Sequence, residues 1–320
     1  MEPLRLEFPI GWSMGSVNAY LFTRPEIVLV DAGVKTDTCW EMLVDGLAAH
    51  GVAIRDLARV VITHPHVDHL GLAGRIAAES DATVWISELG GSWLTDMERM
   101  WLERMAYYRR ELLPPLGLLP ETNEIIMESM RGLAAHADPV PAERVVTFRS
   151  DGVLQMGGRP WQVIHTPGHA HAQTVFYEPE TRSLLSADML LAVTPAPVID
   201  HPPPGERRDP ALPHFMRSLD MLEALDIDTV YPGHGRPFGD HRAVIARQRE
   251  RINGRKGQCL ELIRRGGHTI PELLESMYAH QPPEGRVAGL WMLIGYLDLL
   301  LEEGEIKEVS IEKVNHYRPA

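Results

Sequence analysis

Cysteine is nearly absent. Only Cys39 and Cys259 occur in 320 residues, far apart in the chain. That excludes a disulfide framework and a cysteine-rich zinc ribbon, and it points to a reduced, cytoplasmic setting. Long apolar runs are missing too. The longest, "VAGLWMLIGYLDLLL" at 287–301, falls short of the roughly 18 residues a membrane span requires and carries Asp298. The opening "MEPLRLEFPIGWSMGSVNAYLF" has no basic segment followed by an apolar one, so no secretory leader is expected. Positive charge is in deficit. The 31 Lys and Arg face 44 Asp and Glu, a net of −13, which argues against a general nucleic-acid binder. The deficit is uneven. Residues 241–320 hold 12 basic and 11 acidic side chains, leaving 19 against 33 in residues 1–240.

The patterning is that of an α/β protein. Short β-branched runs at 26–33, 58–64, 82–87, 161–169, 174–178 and 183–188 read as strands, with "EPETRS" as a hairpin turn between the last two. Helical spacing appears at 36–51, 71–80 and 215–225. Apolar strands separated by helices imply a layered body. Two stretches break the rhythm. Residues 89–138 carry long aliphatic, Met and aromatic side chains at helical spacing and read as a helical insert. Residues 195–213, "PAPVIDHPPPGERRDPALP", read as an irregular Pro-rich loop. Beyond about 240 the pattern changes to one or two helices over 242–265, a helix after Thr269, an apolar helix to Gly304 and a strand pair. The chain is therefore divided at 1–240 and 241–320, the second part a small winged-helix-like unit.

The chemistry concentrates in "THPHVDHLG", residues 63–71. The preceding "VVIT" is a buried strand, so His64, His66, Asp68 and His69 stand at its carboxyl end, where ligands of α/β folds gather. Residues two apart on an extended segment point the same way, so His64 and His66 can converge on one ion. Asp68 and His69 lie past a turn and can reach a second position. Three companions also follow apolar strands at turns: His169 in "HTPGH", Asp188 in "SAD" and His234 in "YPGHG". Each alone reads more readily as a solvent-exposed side chain; together they form a donor set suited to zinc, iron or manganese.

The ordered motifs "VDAG", "HPHVDH", "TPGH", "SAD" and "YPGHG" resemble those of the metallo-β-lactamase-fold hydrolases over roughly residues 8–240. The resemblance implies a four-layer αββα sandwich with a two-metal site between its sheets. By position, His64, His66 and His169 would hold one divalent ion. Asp68, His69 and His234 would hold the other, Asp188 would bridge, and Asp31 would orient ligands from behind. Zinc is the first expectation for both ions. His66, where a glutamate would mark di-iron oxidoreductases, and Asp188, which β-lactamases lack, make the set most similar to glyoxalase II-type thioesterases and lactonases. The tail resembles, more loosely, the winged-helix domain of relatives of β-lactamase-like protein 2, which include RNA-cutting and thioester-cutting enzymes.

The resemblance implies a bridging hydroxide as nucleophile, with Asp68 taking up a proton and Asp188 holding the ions together. Two dications, two carboxylates and that hydroxide leave a formal charge of about +1, suited to a developing oxyanion. A thioester, ester or lactone with a bulky, partly apolar acyl group is the expected small-molecule substrate. Phosphodiester or RNA cleavage with the same ions, and a non-catalytic ligand sensor, are the rival readings. The insert would shape the pocket through Met97, Met100, Trp101, Met105 and Tyr108, either as a lid or as a homodimer surface, although ordinary helix packing accounts for any one of them. His201 in the Pro-rich loop could approach the site, with a solvent-exposed side chain as the first expectation. The basic side chains of 242–265 read as a solvated face paired with nearby acids rather than an RNA grip.

Overall fold

The computed structural model describes residues 2–11, 15–192, 195, 197, 199–202 and 208–320, with only the backbone at 283 and 284. Residues 193, 194, 196, 198 and 203–207, in and beside the Pro-rich stretch, lie outside the described residues.

Two sheets face each other. The first runs in chain order: β1 (Leu4–Pro9), β2 (Ser16–Phe22), β3 (Val28–Val30), β4 (Arg59–Ile62), β5 (Thr83–Ser87) and β6 (Val145–Phe148). β1, β2 and β3 pair antiparallel; β3 to β6 pair parallel. The second sheet has the order β11 (Thr229–Pro232), β10 (Ser183–Ala187), β9 (Thr174–Glu178), β8 (Arg159–His165), β7 (Val153–Met156), antiparallel except for β10 and β11.

Alternation along the strands builds the layers. Val28, Val30 and Val61 from the first sheet meet Trp161, Val163, Phe176 and Leu185 from the second in one buried cluster. Their neighbours Leu29, Val60 and Ile62, and Val175, Tyr177 and Leu184, belong to a separate cluster with the helices. Because successive side chains point to opposite faces, a strand covered on both sides is apolar throughout. Helices α1 (Asp37–Ala48), α2 (Val67–Leu70) and α3 (Ala73–Glu79) lie with the first sheet; α7 (Ala211–Glu223) and α8 (His241–Arg264) lie with the second. This is the four-layer αββα arrangement. Thr36 caps α1 by accepting from Cys39 N. The β9–β10 hairpin is closed by Glu178, which accepts from the Glu180 and Thr181 amides.

The insert occupies the connection between β5 and β6 as α4 (Gly91–Thr95), α5 (Met97–Tyr107) and α6 (Pro120–Ala134). One boundary needs correction. The loop expected over 195–213 gives way to α7 already at Ala211. Pro213 sits in the first turn of that helix, where its missing N–H would have had no partner.

After α8 come α9 (Ile270–Tyr278), α10 (Pro283–Glu302) and an antiparallel hairpin, β12 (Ile306–Ile311) and β13 (Val314–Pro319). The apolar run of 287–301 is buried inside this packing rather than in lipid, and no helix among the described residues is long and apolar enough to cross a membrane. Its one charge, Asp298, accepts a bidentate pair from Arg208 at 2.7 and 2.6 Å. Gly295 lets α10 approach α7 closely: a Cβ there would lie 2.7 Å from Leu212 Cβ. Gly295→Leu should therefore overpack the α7–α10 contact and lower stability by about 1–3 kcal/mol, read as a shifted urea midpoint at unchanged m. An unshifted midpoint would show that this contact yields freely.

Candidate metal centre

Five strand ends deliver the polar side chains to one place. Asp31 follows β3, His64 and His66 follow β4, His169 lies in the turn after β8, Asp188 follows β10 and His234 follows β11. Asp68 and His69 stand on α2, with His66 at its N-cap. A bulge between Leu185 and Ala187, with Ala187 at φ 44°, turns the chain just before Asp188. Gly233 N donates to Ala187 O at 2.8 Å, joining the two strand ends.

All seven side chains converge. Donor atoms of His64, His66 and His169 lie within 4.8 Å of one another, as do those of Asp68, His69 and His234. A third such group is His64, His69 and Asp188. Asp188 thus falls between the other two groups, with Oδ1 3.4 Å from His69 Nε2 and Oδ2 3.4 Å from His169 Nε2 and 3.3 Å from His234 Nε2.

The hydrogen bonds behind the cluster aim the imidazoles. Asp31 Oδ2 accepts from His69 Nδ1 at 2.8 Å, and Asp31 Oδ1 accepts from Thr63 N at 2.9 Å. The Thr63 hydroxyl donates to Asp31 and stands 3.0 Å from His64 Nδ1. With its proton given to Asp31, that hydroxyl can only accept from His64 Nδ1–H. His64 and His69 therefore keep a proton on Nδ1 and turn Nε2 toward the cluster. His234 Nδ1 donates to Ser16 O at 2.6 Å, with the same result. Asp31 has φ 61°, a left-handed conformation that Asp tolerates better than most residues.

The electrostatics divide the cluster. Burial, then the neighbouring histidines, hold His64 well below its usual pKa, and burial does the same for His66 and lowers His169. Their imidazoles therefore favour the neutral form. Burial also opposes a charge on His69, but Asp188, Asp31 and Asp68 outweigh it and raise His69 well above the ordinary value. His234 behaves alike and is pushed up to about 10, chiefly by Asp188 against burial. Burial would raise Asp68 and Asp188, yet the His69 and His234 charges hold both below the usual carboxylate range.

The donor set fits divalent metal. Imidazole and carboxylate are ligands of zinc, iron and manganese. The Nε2 atoms of His69, His169 and His234 and the oxygens of Asp188 are turned inward and face one another at 3.3–3.4 Å, the array that a bound cation would use.

A cavity of about 820 Å³ opens beside the His169 turn, lined by Pro167, Gly168 and His171 on that side and by Trp93, Met100 and Tyr107 of the insert on the other. Of the insert residues singled out in the sequence, only Met100 lines it. Met97, Trp101 and Tyr108 are buried in the core, and Met105 packs against it. His201 is not solvent-exposed as expected. It lines the cavity, pairs with Glu103 Oε2 at 3.4 Å and lies edge-on to Trp93. Several basic side chains of α8 and its C-cap are engaged with acids: Arg249 with Asp220 and Glu223, Lys256 with Glu303, Arg264 with Glu305 and Arg265 with Glu261.

Sequence reasoning missed Thr63, Gly233 and Asn18. A Cβ on Gly233 would run into Asp188 Oδ1 and His69. Asn18 Nδ2 donates to Pro232 O at 2.8 Å and Gly235 O at 2.7 Å, locking the turn that carries His234. The glycines flanking His234 hint at a close approach. Nothing near Asn18 in the sequence does so, because its partners lie more than two hundred positions away.

The pattern of the metallo-beta-lactamase superfamily matches residues 12–234, and the chain belongs to that superfamily. It is 26% identical to the probable metallo-hydrolase YqjP of Bacillus subtilis over 308 residues, covering 95% of this chain and 94% of that protein. A metallo-beta-lactamase family protein of Thermus thermophilus superposes with a TM-score of 0.81 at 27% identity, over 100% of this chain and 99% of that one. A beta-lactamase domain protein from Burkholderia ambifaria shares the fold, with a TM-score of 0.76 at 21% identity over 99% and 92% of the two chains.

Two outcomes are expected. Asp31→Asn keeps a residue suited to the backbone but removes the charge, so metal affinity should fall about 10–100-fold in competition with a chelator. Unchanged affinity would show that His69 needs no carboxylate behind it. At pH 7, metal uptake should release about two protons, from His69 and His234, because their raised values keep both protonated in the metal-free protein. Calorimetry in buffers of differing ionisation enthalpy reads this release, which should vanish above the folded-state pKa values. Uptake with no proton release at pH 7 would contradict the assignment.

Proposed function

We propose that the chain is a binuclear metal-dependent hydrolase of an ester, thioester or lactone whose acyl group is bulky and partly apolar. The observation that supports it is the seven-donor cluster, together with a cavity at the turn that carries His169, walled by Trp93, Met100, Tyr107 and Ile199. His64, His66 and His169 would hold one ion and Asp68, His69 and His234 the other, with Asp188 shared; zinc leads, with iron and manganese as alternatives. Two bound ions would supply Lewis acidity for a carbonyl oxygen and lower the pKa of bound water to about 7.

The chain's own groups do the rest. Asp31 and Thr63 keep imidazole lone pairs inward, so no reorganisation accompanies turnover. Asp68 is the more accessible carboxylate of the cluster, its side chain 13% exposed against 4% for Asp188. It is therefore the carboxylate that would take up a proton during turnover. The cavity walls would seat the acyl chain. The pairing of Arg249, Lys256, Arg264 and Arg265 with acids favours the acyl reading over an RNA-cutting one.

The test is a metal-supplemented panel of acyl-CoA, acyl-glutathione, lactone, phosphodiester and RNA substrates, with metal content measured in parallel. Acyl substrates should turn over with about two ions per chain. Asp188→Ala should remove the activity and one ion. Full activity with a single tightly held ion, or turnover surviving in Asp188→Ala, would sink the binuclear reading. Preference for phosphodiesters would replace the acyl one.

A further inference from the structure

One buried cation has no part in the cluster. Arg104, on α5, is only 5% exposed. Its guanidinium carbon lies 4.1 Å from the ring centroid of Trp93 and 5.2 Å from that of Trp101, and those two rings meet edge to face. Nη2 pairs with Asp200 Oδ1. Asp200 Oδ2 in turn accepts from the backbone N of His171 at 3.4 Å, two residues beyond His169. The next turn of the helix adds a second tie, since the Tyr108 hydroxyl donates to Ile199 O at 2.9 Å. Ile199, Asp200, His201 and Trp93 all line the cavity.

The arrangement is costly. Removing a guanidinium from water costs several kcal/mol, and a well-packed apolar side chain in such a place is often no less stable. Burial lowers Arg104 to about 10, so it remains charged at neutral pH. Its Nε has no hydrogen-bond partner among the described residues. Stability alone gives no reason for a cation here. Geometry does: a planar guanidinium between two indoles has a fixed direction, and its ion pair fixes Asp200 in turn.

We propose that Arg104 is a positioning residue, which through Asp200 sets the distance between the 199–202 wall of the cavity and the turn carrying His169. An acyl chain resting on that wall then meets the ligand cluster in one register. The effect must grow with acyl length, since a short acyl group does not reach the wall. The proposal rests on the cavity being the acyl site, and its test separates the two.

Full-length, metal-loaded wild type, Arg104→Met, Arg104→Lys and the double variant Arg104→Met/Asp200→Asn are compared on p-nitrophenyl esters from acetate to decanoate. Binding of decanoate is followed separately by tryptophan fluorescence, which Trp93 should report. The double variant leaves neither charge buried alone, so it guards against misfolding. Expected are a KM for the decanoate ester raised about tenfold (about 1.4 kcal/mol), near-unchanged kinetics on the acetate, decanoate binding weakened in step and partial recovery with lysine. Equal losses at all chain lengths, or a double variant matching wild type throughout, overturn the proposal. Decanoate binding that depends on Arg104, without hydrolysis of any ester, would sustain Arg104 and reject the hydrolase reading. Wild type that neither binds decanoate nor cleaves the esters rejects both.

Discussion

The hydrogen bonds of one carboxylate, Asp31, govern the centre. Asp31 accepts directly from His69 and reaches His64 through the Thr63 hydroxyl. His69 and His64 each belong to the Asp188 group, and between them they join both sets of three. A single side chain at the end of β3 therefore orients rings in both halves of the cluster. The first sheet must hold β3 against β4 for this to work, and the parallel register of Val30 with Val61 does so. The apolar faces of those strands are thus part of the site's accuracy, because a slip of one residue would exchange the inward and outward faces.

The second sheet meets the first at this point with fewer tolerances. Asn18 and Tyr20 of β2 both hydrogen-bond to Pro232 O, at 2.8 and 2.7 Å, across the gap between the sheets. Those bonds fix where the His234 turn can sit. Gly233 then allows Asp188 to come against that turn. Ligands from separate sheets are brought together by polar ties at the sandwich edge, not by the packed interior, which is apolar and far less directional.

Much of this is legible in the chain. The strands before Asp31, His64, His169, Asp188 and His234 announce themselves because each carries a short apolar run that stops at a turn residue. The parts that are not legible depend on distant partners. β1 carries exposed Glu7 and Pro9 and gives no continuous apolar run. β7 shows only two buried positions, Leu154 and Met156, separated by an exposed one. The insert's helices can be read from spacing, but not which side chains face the cavity; that depends on how α5 rotates against its neighbours and the Pro-rich stretch. His201 reads as a surface histidine until Glu103 and Trp93 are seen around it. The charges of α8 look like a grip for phosphate when read alone, and like ordinary ion pairing once Asp220, Glu223 and Glu303 are in view.

Two residues of the Pro-rich stretch are tethered in opposite directions. Asp200 is held by Arg104 of the insert, and Arg208 by Asp298 of α10. The wall of the cavity is consequently suspended between parts of the chain that contribute nothing to the cluster itself. Grafting an insert or a tail from a relative would transplant half of a charge pair and strand the other half in a nonpolar setting. Redesign of the cavity in this scaffold is therefore a problem of exchanging whole ion pairs, with the seven clustered residues left as they stand.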